Sequence, residues 1–162
     1  MILIAAGSSL PFCGVDSQQI VLRAFSSLGR VTTLNEKSAL YETPAWPDAN
    51  DPPFINAVAA IETALPPEAL LQVLHAIEAG FGRRRRQKNA PRSLDLDLIA
   101  YHEERRAAGE SGLFLPHPGL ETREFVLAPL AEIAPNWRHP VTGATAQAML
   151  DALPTREALR IS

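Results

Sequence analysis

The stretch "SLDLDLIAY", Ser93 to Tyr101, constrains the fold of this chain more than any other. Leucines at 94, 96 and 98 alternate with Asp95, Asp97 and Ile99, a period of two that puts successive side chains on opposite faces of an extended strand. Such a strand must bury its leucine face under another layer and keep its two acids where water or a cation can reach them. A slip of one residue would bury both carboxylates, so the register is fixed by the pattern itself.

The rest of the chain supplies partners for that strand. Apolar Met1 to Ala6, stopped by a Gly-Ser-Ser turn, reads as a first strand. Ile20, Val21, Ala24, Phe25 and Leu28 fall on one face of a helix from about Ser17 to Leu28, with Asp16 or Ser17 as its cap and Gly29 at its end. "VTTLNEKSALYE", Val31 to Glu42, reads as one strand, and Phe54 to Thr63 as another. Pro66 and Pro67 open a second helix, with Leu70, Leu71, Leu74, Ile77 and Phe81 as its stripe and Gly82 after it. Short helices are expected from Phe125 and over Thr145 to Leu153. The order is βαββαβ with C-terminal helical additions. It predicts an α+β fold of ferredoxin-like type, an antiparallel sheet with helices packed on one face, in a single domain over residues 1–162.

Composition narrows the function classes. The chain is 46% hydrophobic and 20% charged, an ordinary balance for a soluble domain. Its net charge of -3 argues against a dedicated nucleic-acid binder, and its first strand lacks the aromatics of an RNA-binding sheet. The opening apolar run ends at Gly7, too short to span a membrane, and the first cation is Arg23, unlike a signal peptide. Cys13 is the only cysteine, so no intrachain disulfide can form. A cytoplasmic monomer with no membrane or nucleic-acid partner is expected.

Against that acidic background, Arg83, Arg84, Arg85, Arg86, Lys88 and Arg92 place six of the 15 cations in one loop directly before Asp95. A second irregular connection, "TPAWPDANDPP", runs from Thr43 to Pro53. Long loops inside a compact domain are usually functional or disordered, and both of these precede strands that would be neighbours. Asp95 and Asp97 stand about 6.5–7 Å apart along one strand face, a spacing that lets two carboxylates bracket hard cations such as Mg²⁺. Guanidinium groups bind phosphate oxygens bidentately, so the loop and the acids together describe a site for a metal-bound polyphosphate. Each part alone has a plainer reading, exposed acids on an edge strand and a solvated basic loop. The chain has neither G-x-x-x-x-G-K-S/T nor G-x-G-x-x-G, so any nucleotide is held by arginines, ions and irregular backbone. A metal-dependent phosphohydrolase or nuclease is the rival reading.

Several stretches, in order, resemble one family: "AAGSSL", "YETPAW", "FINAVAAIET", "IEAGFGRRRRQKNAPRSLDLDLI", "LPHP" and "REFVLAPLAEIAP". The family is that of 6-hydroxymethyl-7,8-dihydropterin pyrophosphokinase. Its pattern G-R-x-R, a few residues, P-R-x-x-D-L-D is long, and stands here as Gly82 to Arg85 and Pro91 to Asp97. The resemblance implies transfer of the β,γ-pyrophosphoryl group of ATP to the pterin hydroxymethyl oxygen, with AMP leaving, a step of folate biosynthesis. It gives Asp95 and Asp97 two Mg²⁺ ions, Arg83 and Arg92 the charge of the transferring group, and Arg85 and Arg123 further phosphate contacts. It gives His75, Glu78, Leu98 and His117 to the nucleotide. The pterin would lie between Phe54 and Phe125, read by Asn56 and walled by Gly7, Thr43, Pro44 and Trp46. Read without the resemblance, Phe54 and Phe125 are core aromatics, and Glu78 is a surface helix acid. The chain departs from the family pattern at Ser9, a frequent asparagine, at Asn89, often tryptophan, and at Pro118, where an aromatic can stack. Like charges in the basic run repel, so that loop is expected to be mobile until an anion binds, with Arg84 and Arg86 facing solvent.

Overall fold

The apolar first run has no polar side to turn toward water, and it becomes an interior strand of a sheet covered on both faces. The computed structural model describes residues 1–45, 48, 50–83, 92–107 and 112–161. Its elements are β1 (Ile2–Ser8), α1 (Ser17–Leu28), β2 (Thr33–Lys37), β3 (Tyr41–Thr43), β4 (Phe54–Glu62), α2 (Pro67–Gly80), β5 (Asp95–Tyr101), α3 (Glu124–Ile133), α4 (Ala146–Asp151) and β6 (Leu159–Arg160). The strand order is β5-β1-β4-β3-β6, with β2 also on β4, and every pairing is antiparallel. No helix among the described residues is long and apolar enough to cross a membrane.

On one face Ile2, Ile4, Leu94, Leu96 and Leu98 pack against Ile20, Phe25 and Leu28 of α1 and Leu70 and Leu74 of α2. On the other, Leu3, Ala5, Val58, Ala60 and Ile99 pack against Val126, Leu127 and Leu130 of α3 and Met149 of α4. The two helices of the βαββαβ core share one face, as expected of a ferredoxin-like sheet, and the other face is covered as well. The C-terminal helices roof the second face, because β1 and β4 are apolar on both sides and need a cover there too.

The single strand expected over 31–42 is two. Between β2 and β3, Ser38 donates its N–H to Val58 O at 2.9 Å, while its Oγ accepts Val58 N–H at 3.0 Å and donates to Ala39 O at 2.7 Å. A side chain competing for ladder hydrogen bonds breaks the run there. The helix ends follow the residues that cap them. Asp16 accepts the Gln19 N–H at 2.8 Å, and Pro67 opens α2 where its missing N–H costs nothing.

Gly82 sits just past α2 with φ +75°, and a Cβ there would lie 2.2 Å from the Phe12 ring. Gly80, within the helix end, has nothing within 4 Å of a Cβ. Gly82→Ala is expected to cost about 1–3 kcal/mol, the usual strain of a left-handed non-glycine residue. Gly80→Ala should instead gain about 0.5–1 kcal/mol from helix propensity. Urea unfolding of the two variants checks the pair, and equal shifts would contradict it.

Candidate active site

Antiparallel pairing brings the sequence-distant candidates to one end of the sheet. Gly7 of β1 lies opposite Asn56 of β4 on one side and Asp95 of β5 on the other. Thr43 of β3 lies opposite Phe54, and Asp97 opposite Ala5. Opposed residues of paired strands share a face, so Asp95, Gly7 and Asn56 form one row across three strands, about 4.8 Å from strand to strand. The strands after the two irregular loops, β4 and β5, are not neighbours as expected, since β1 lies between them, but the described ends of both loops, at Thr43, Phe54 and Ser93, border the same end of the sheet.

A glycine in the middle of that row opens the space. A Cβ at position 7 would stand 3.1 Å from Asn56 Oδ1 and 4.0 Å from Phe54 Cδ1, so any side chain would close the gap between the amide and the ring. Asn56 itself is buried, with Nδ2 donating to Thr43 Oγ1 at 2.9 Å and to Phe54 O at 3.3 Å. Those bonds fix the amide plane. Phe125, first turn of α3, remains 38% exposed with the Arg123 guanidinium 5.7 Å from its ring centre. Phe125 is thus the exposed member of a helix whose Val126, Leu127 and Leu130 are buried.

The charges gather around the acids. Asp95 Oδ1 takes Arg83 Nη1 at 2.6 Å and its Oδ2 takes Arg92 Nη1 at 2.9 Å, so each oxygen holds one arginine. Arg83 also pairs with Glu78. Asp97 is held above the ordinary carboxylate range, first by burial and then by Asp95, with His117, Arg123 and Arg83 acting the other way. His117 Nε2 lies 4.0 Å from Asp97 Oδ2. Burial pushes its imidazole below the usual histidine range, opposed by Asp97, so the ring is neutral at pH 7. The His117 N–H donates to Ile99 O at 2.8 Å, running the "LPHP" segment along the outer side of β5. Its Nδ1 is buried, and although Pro118 main chain is near, no partner among the described residues gives it a well-formed hydrogen bond.

Glu78 is not a surface acid. It is 2% exposed and its Oε1 accepts the Leu96 N–H at 2.7 Å, so it joins the end of α2 to the start of β5 as well as steering Arg83. The sequence carried a signal for this, since 70, 74 and 78 continue one helical stripe at intervals of four. His75 is half-buried on α2, and the Leu98 side chain is 3% exposed in the core under that helix. Pro44 is exposed beside buried Thr43. Trp46 and Arg85, with the rest of the basic run from 84 to 91, lie outside the described residues.

Ser9, marked in the sequence only as a departure from the family pattern, makes contacts that the sequence did not show. Ser9 Oγ accepts the Arg92 N–H at 3.2 Å, while the Ser9 and Leu10 N–H groups donate to Arg92 O at 3.0 and 3.2 Å. The "GSSL" turn thus grips the main chain of Arg92 and aims it at Asp95. Nothing in residue type alone marks a turn serine for that duty.

Known proteins give the arrangement a family. A sequence model described as 7,8-dihydro-6-hydroxymethylpterin-pyrophosphokinase (HPPK) matches residues 3–135. A Synechocystis protein named 2-amino-4-hydroxy-6-hydroxymethyldihydropteridine pyrophosphokinase is 49% identical over 94 residues, 58% of this chain and 47% of its own length. A Methylorubrum extorquens protein of the same name is 46% identical over 100 residues, 62% of each chain. One from Aquifex aeolicus is 36% identical over 126 residues, 78% of each. The matched stretches cover less than two thirds of the first two relatives' own lengths. Wild-type Plasmodium falciparum HPPK-DHPS superposes with a TM-score of 0.68 at 13% identity, covering 93% of this chain and 40% of that one. Its structure with pteroate gives 0.70 at 12%, covering 93% and 41%. At such identities the superpositions speak for the fold alone, an open antiparallel sheet with helices packed on it. The sequence match over residues 3–135 goes further: this chain belongs to the HPPK family.

Proposed function

We propose that the protein transfers the pyrophosphoryl group of ATP to the hydroxymethyl oxygen of 6-hydroxymethyl-7,8-dihydropterin, releasing AMP, in folate biosynthesis. The observation that carries this reading is the row Asp95, Gly7, Asn56. It sets a carboxylate ringed by arginines two strands from a fixed amide, with an open gap between them. A phosphohydrolase needs the first half of that row and has no use for the second.

Asp95 and Asp97 fit the Mg²⁺ that such a reaction uses. No cluster of three or more His, Cys, Asp or Glu side chains among the described residues forms a cage. Two carboxylates suit Mg²⁺, which takes one or two of them and fills its remaining positions with water and substrate phosphate. The Asp97 carboxyl, raised by burial and then by Asp95, is in the state expected of an acid that a neighbouring cation would relieve. The two Mg²⁺ ions expected there would be held by Asp95 and Asp97 and would supply positive charge to offset that on the phosphates.

The chain's own residues do the rest. Arg83 and Arg92, gripped by Glu78 and by Ser9, turn from Asp95 to the transferring group, with Arg85 and Arg123 on outlying phosphate oxygens. Neutral His117 borders the nucleotide, as do His75 and the Leu98 main chain, while Glu78 acts through Arg83. The pterin lies between Phe54 and Phe125, its edge read by Asn56, with Gly7, Thr43, Pro44 and Trp46 as walls. This is mostly positioning and electrostatics, as phosphoryl transfer generally is. Cys13, the sole cysteine, is free and exposed, which suits a reducing cytoplasm, and the protein is proposed to act there as a monomer.

The test is acceptor dependence. With ATP and Mg²⁺, AMP should form only when the hydroxymethylpterin is added; phosphate release at the same rate without it would mark a hydrolase. Phe125→Ala should weaken pterin binding about tenfold or more, since stacking adds roughly 0.5–1.5 kcal/mol to the area lost. Affinity for an ATP analogue should change far less. Equal losses in calorimetry would make Phe125 a structural residue.

A further inference from the structure

The segment from Glu157 to Ile161 touches two elements, α3 and β3, that carry walls of the proposed pterin slot, without lining the slot itself. Its strand β6 pairs with β3, Arg160 opposite Tyr41 and Leu159 opposite Glu42, and the Ile161 N–H donates to Leu40 O at 2.9 Å. The segment also binds α3 near both ends. The Glu157 N–H donates to Glu124 Oε2 at 2.7 Å, one residue from Phe125. Arg160 reaches Glu132 Oε1 with Nη2 at 3.1 Å and Nε at 3.4 Å, while Glu132 Oε2 accepts the Ala39 N–H at 3.1 Å, just before β3. Tyr41 belongs to the same cluster, its hydroxyl pushed up by burial and then by the Glu132 carboxylate.

These contacts have a direction. α3 carries Phe125 at its start, and β3 carries Thr43, the partner that fixes Asn56. β3 is three residues long and pairs otherwise only with β4 among the described residues, so by itself it would be a short, weakly held edge. We infer that residues 157–161 are a positioning element for the reaction, a clamp that sets the separation of Phe125 from Thr43 and Asn56 and so the width of the pterin slot. The inference rests on the reading of Phe125 and Asn56 as slot walls.

The double variant Glu124→Ala/Arg160→Ala cuts the clamp at both ends and leaves every proposed ligand contact in place. Its KM and Kd for 6-hydroxymethyl-7,8-dihydropterin should rise by about tenfold, because a slot that must be ordered on binding loses affinity. The Kd for a non-hydrolysable ATP analogue and kcat at saturating pterin should stay within about threefold, since the phosphate end of the row is held from α2 and β1. Leu153→Ala, which trims a partly buried residue packed on the same core, is the control for general destabilisation. The clamp is overturned if that control, at a similar loss of melting temperature, weakens pterin binding as much. It is also overturned if the double variant binds pterin like wild type. Phe125→Ala separates the two claims: if it too binds pterin normally the slot itself fails, whereas if it alone binds poorly only the clamp does.

Discussion

Asp97→Asn should lower turnover about 10³-fold or more and, assayed without divalent cations, raise the melting temperature of the same protein. The loss follows from removing an oxygen anchor for Mg²⁺, worth several kcal/mol in the transition state at 1.36 kcal/mol per tenfold. The gain follows from linkage. The folded Asp97 carboxyl titrates above the ordinary 3.8 because of burial and Asp95. The folded state therefore holds a proton that the unfolded chain has released, and stability falls as pH rises from about 3.8 through the folded value. Above that window the deficit is complete, and an asparagine does not have it. Asp95→Asn should lose turnover equally but move stability the other way. It removes the carboxylate shared by Arg83 at 2.6 Å and Arg92 at 2.9 Å, at a cost of about 1–2 kcal/mol for partly buried charged hydrogen bonds. Calorimetry in chelator, alongside kinetics at saturating Mg²⁺, reads all four quantities. Stability shifts of the same sign would mean that the two acids do not differ as described.

Arg83→Ala and Arg92→Ala should each lower kcat by about 10²–10³-fold, the usual scale for removing one donor aimed at developing charge. Affinity for an ATP analogue should fall only a few-fold, because these groups act chiefly on the transition state. Glu78→Gln should approach Arg83→Ala in kcat, since the buried carboxylate is what turns the Arg83 guanidinium toward Asp95. Arg84→Ala and Arg86→Ala, which alternate with the family-matched arginines, should stay near wild type. Equal costs at all four arginines would reduce the run to a generic basic patch.

Periodicity made much of this fold legible. The leucine-aspartate alternation of β5 fixed its own register, and the apolar stripes of α1 and α2 located both helices with their caps. It failed where one residue competes with its strand, as Ser38 does in dividing β2 from β3. It also failed at β1 and β4, whose doubly apolar faces implied a second helical layer that a half-exposed sheet would not need. For the site, residue type pointed to the acids and arginines, because few other groups hold metal and phosphate. The proposed pterin wall rests on the resemblance, since an isolated Phe54 or Phe125 looks like core. Contacts between distant segments left no local trace. The Ser9 grip on Arg92 spans 83 positions, and the Arg160 pair with Glu132 spans 28.

The central claim concerns which bond of ATP breaks and what receives the fragment. Phosphorus NMR of ATP, Mg²⁺ and the hydroxymethylpterin with this protein reads both at once. The account predicts that AMP and a pterin carrying two linked phosphates appear together and in equal amounts, with neither forming when the pterin is left out. ADP with a pterin monophosphate, or phosphate released without acceptor, would contradict it.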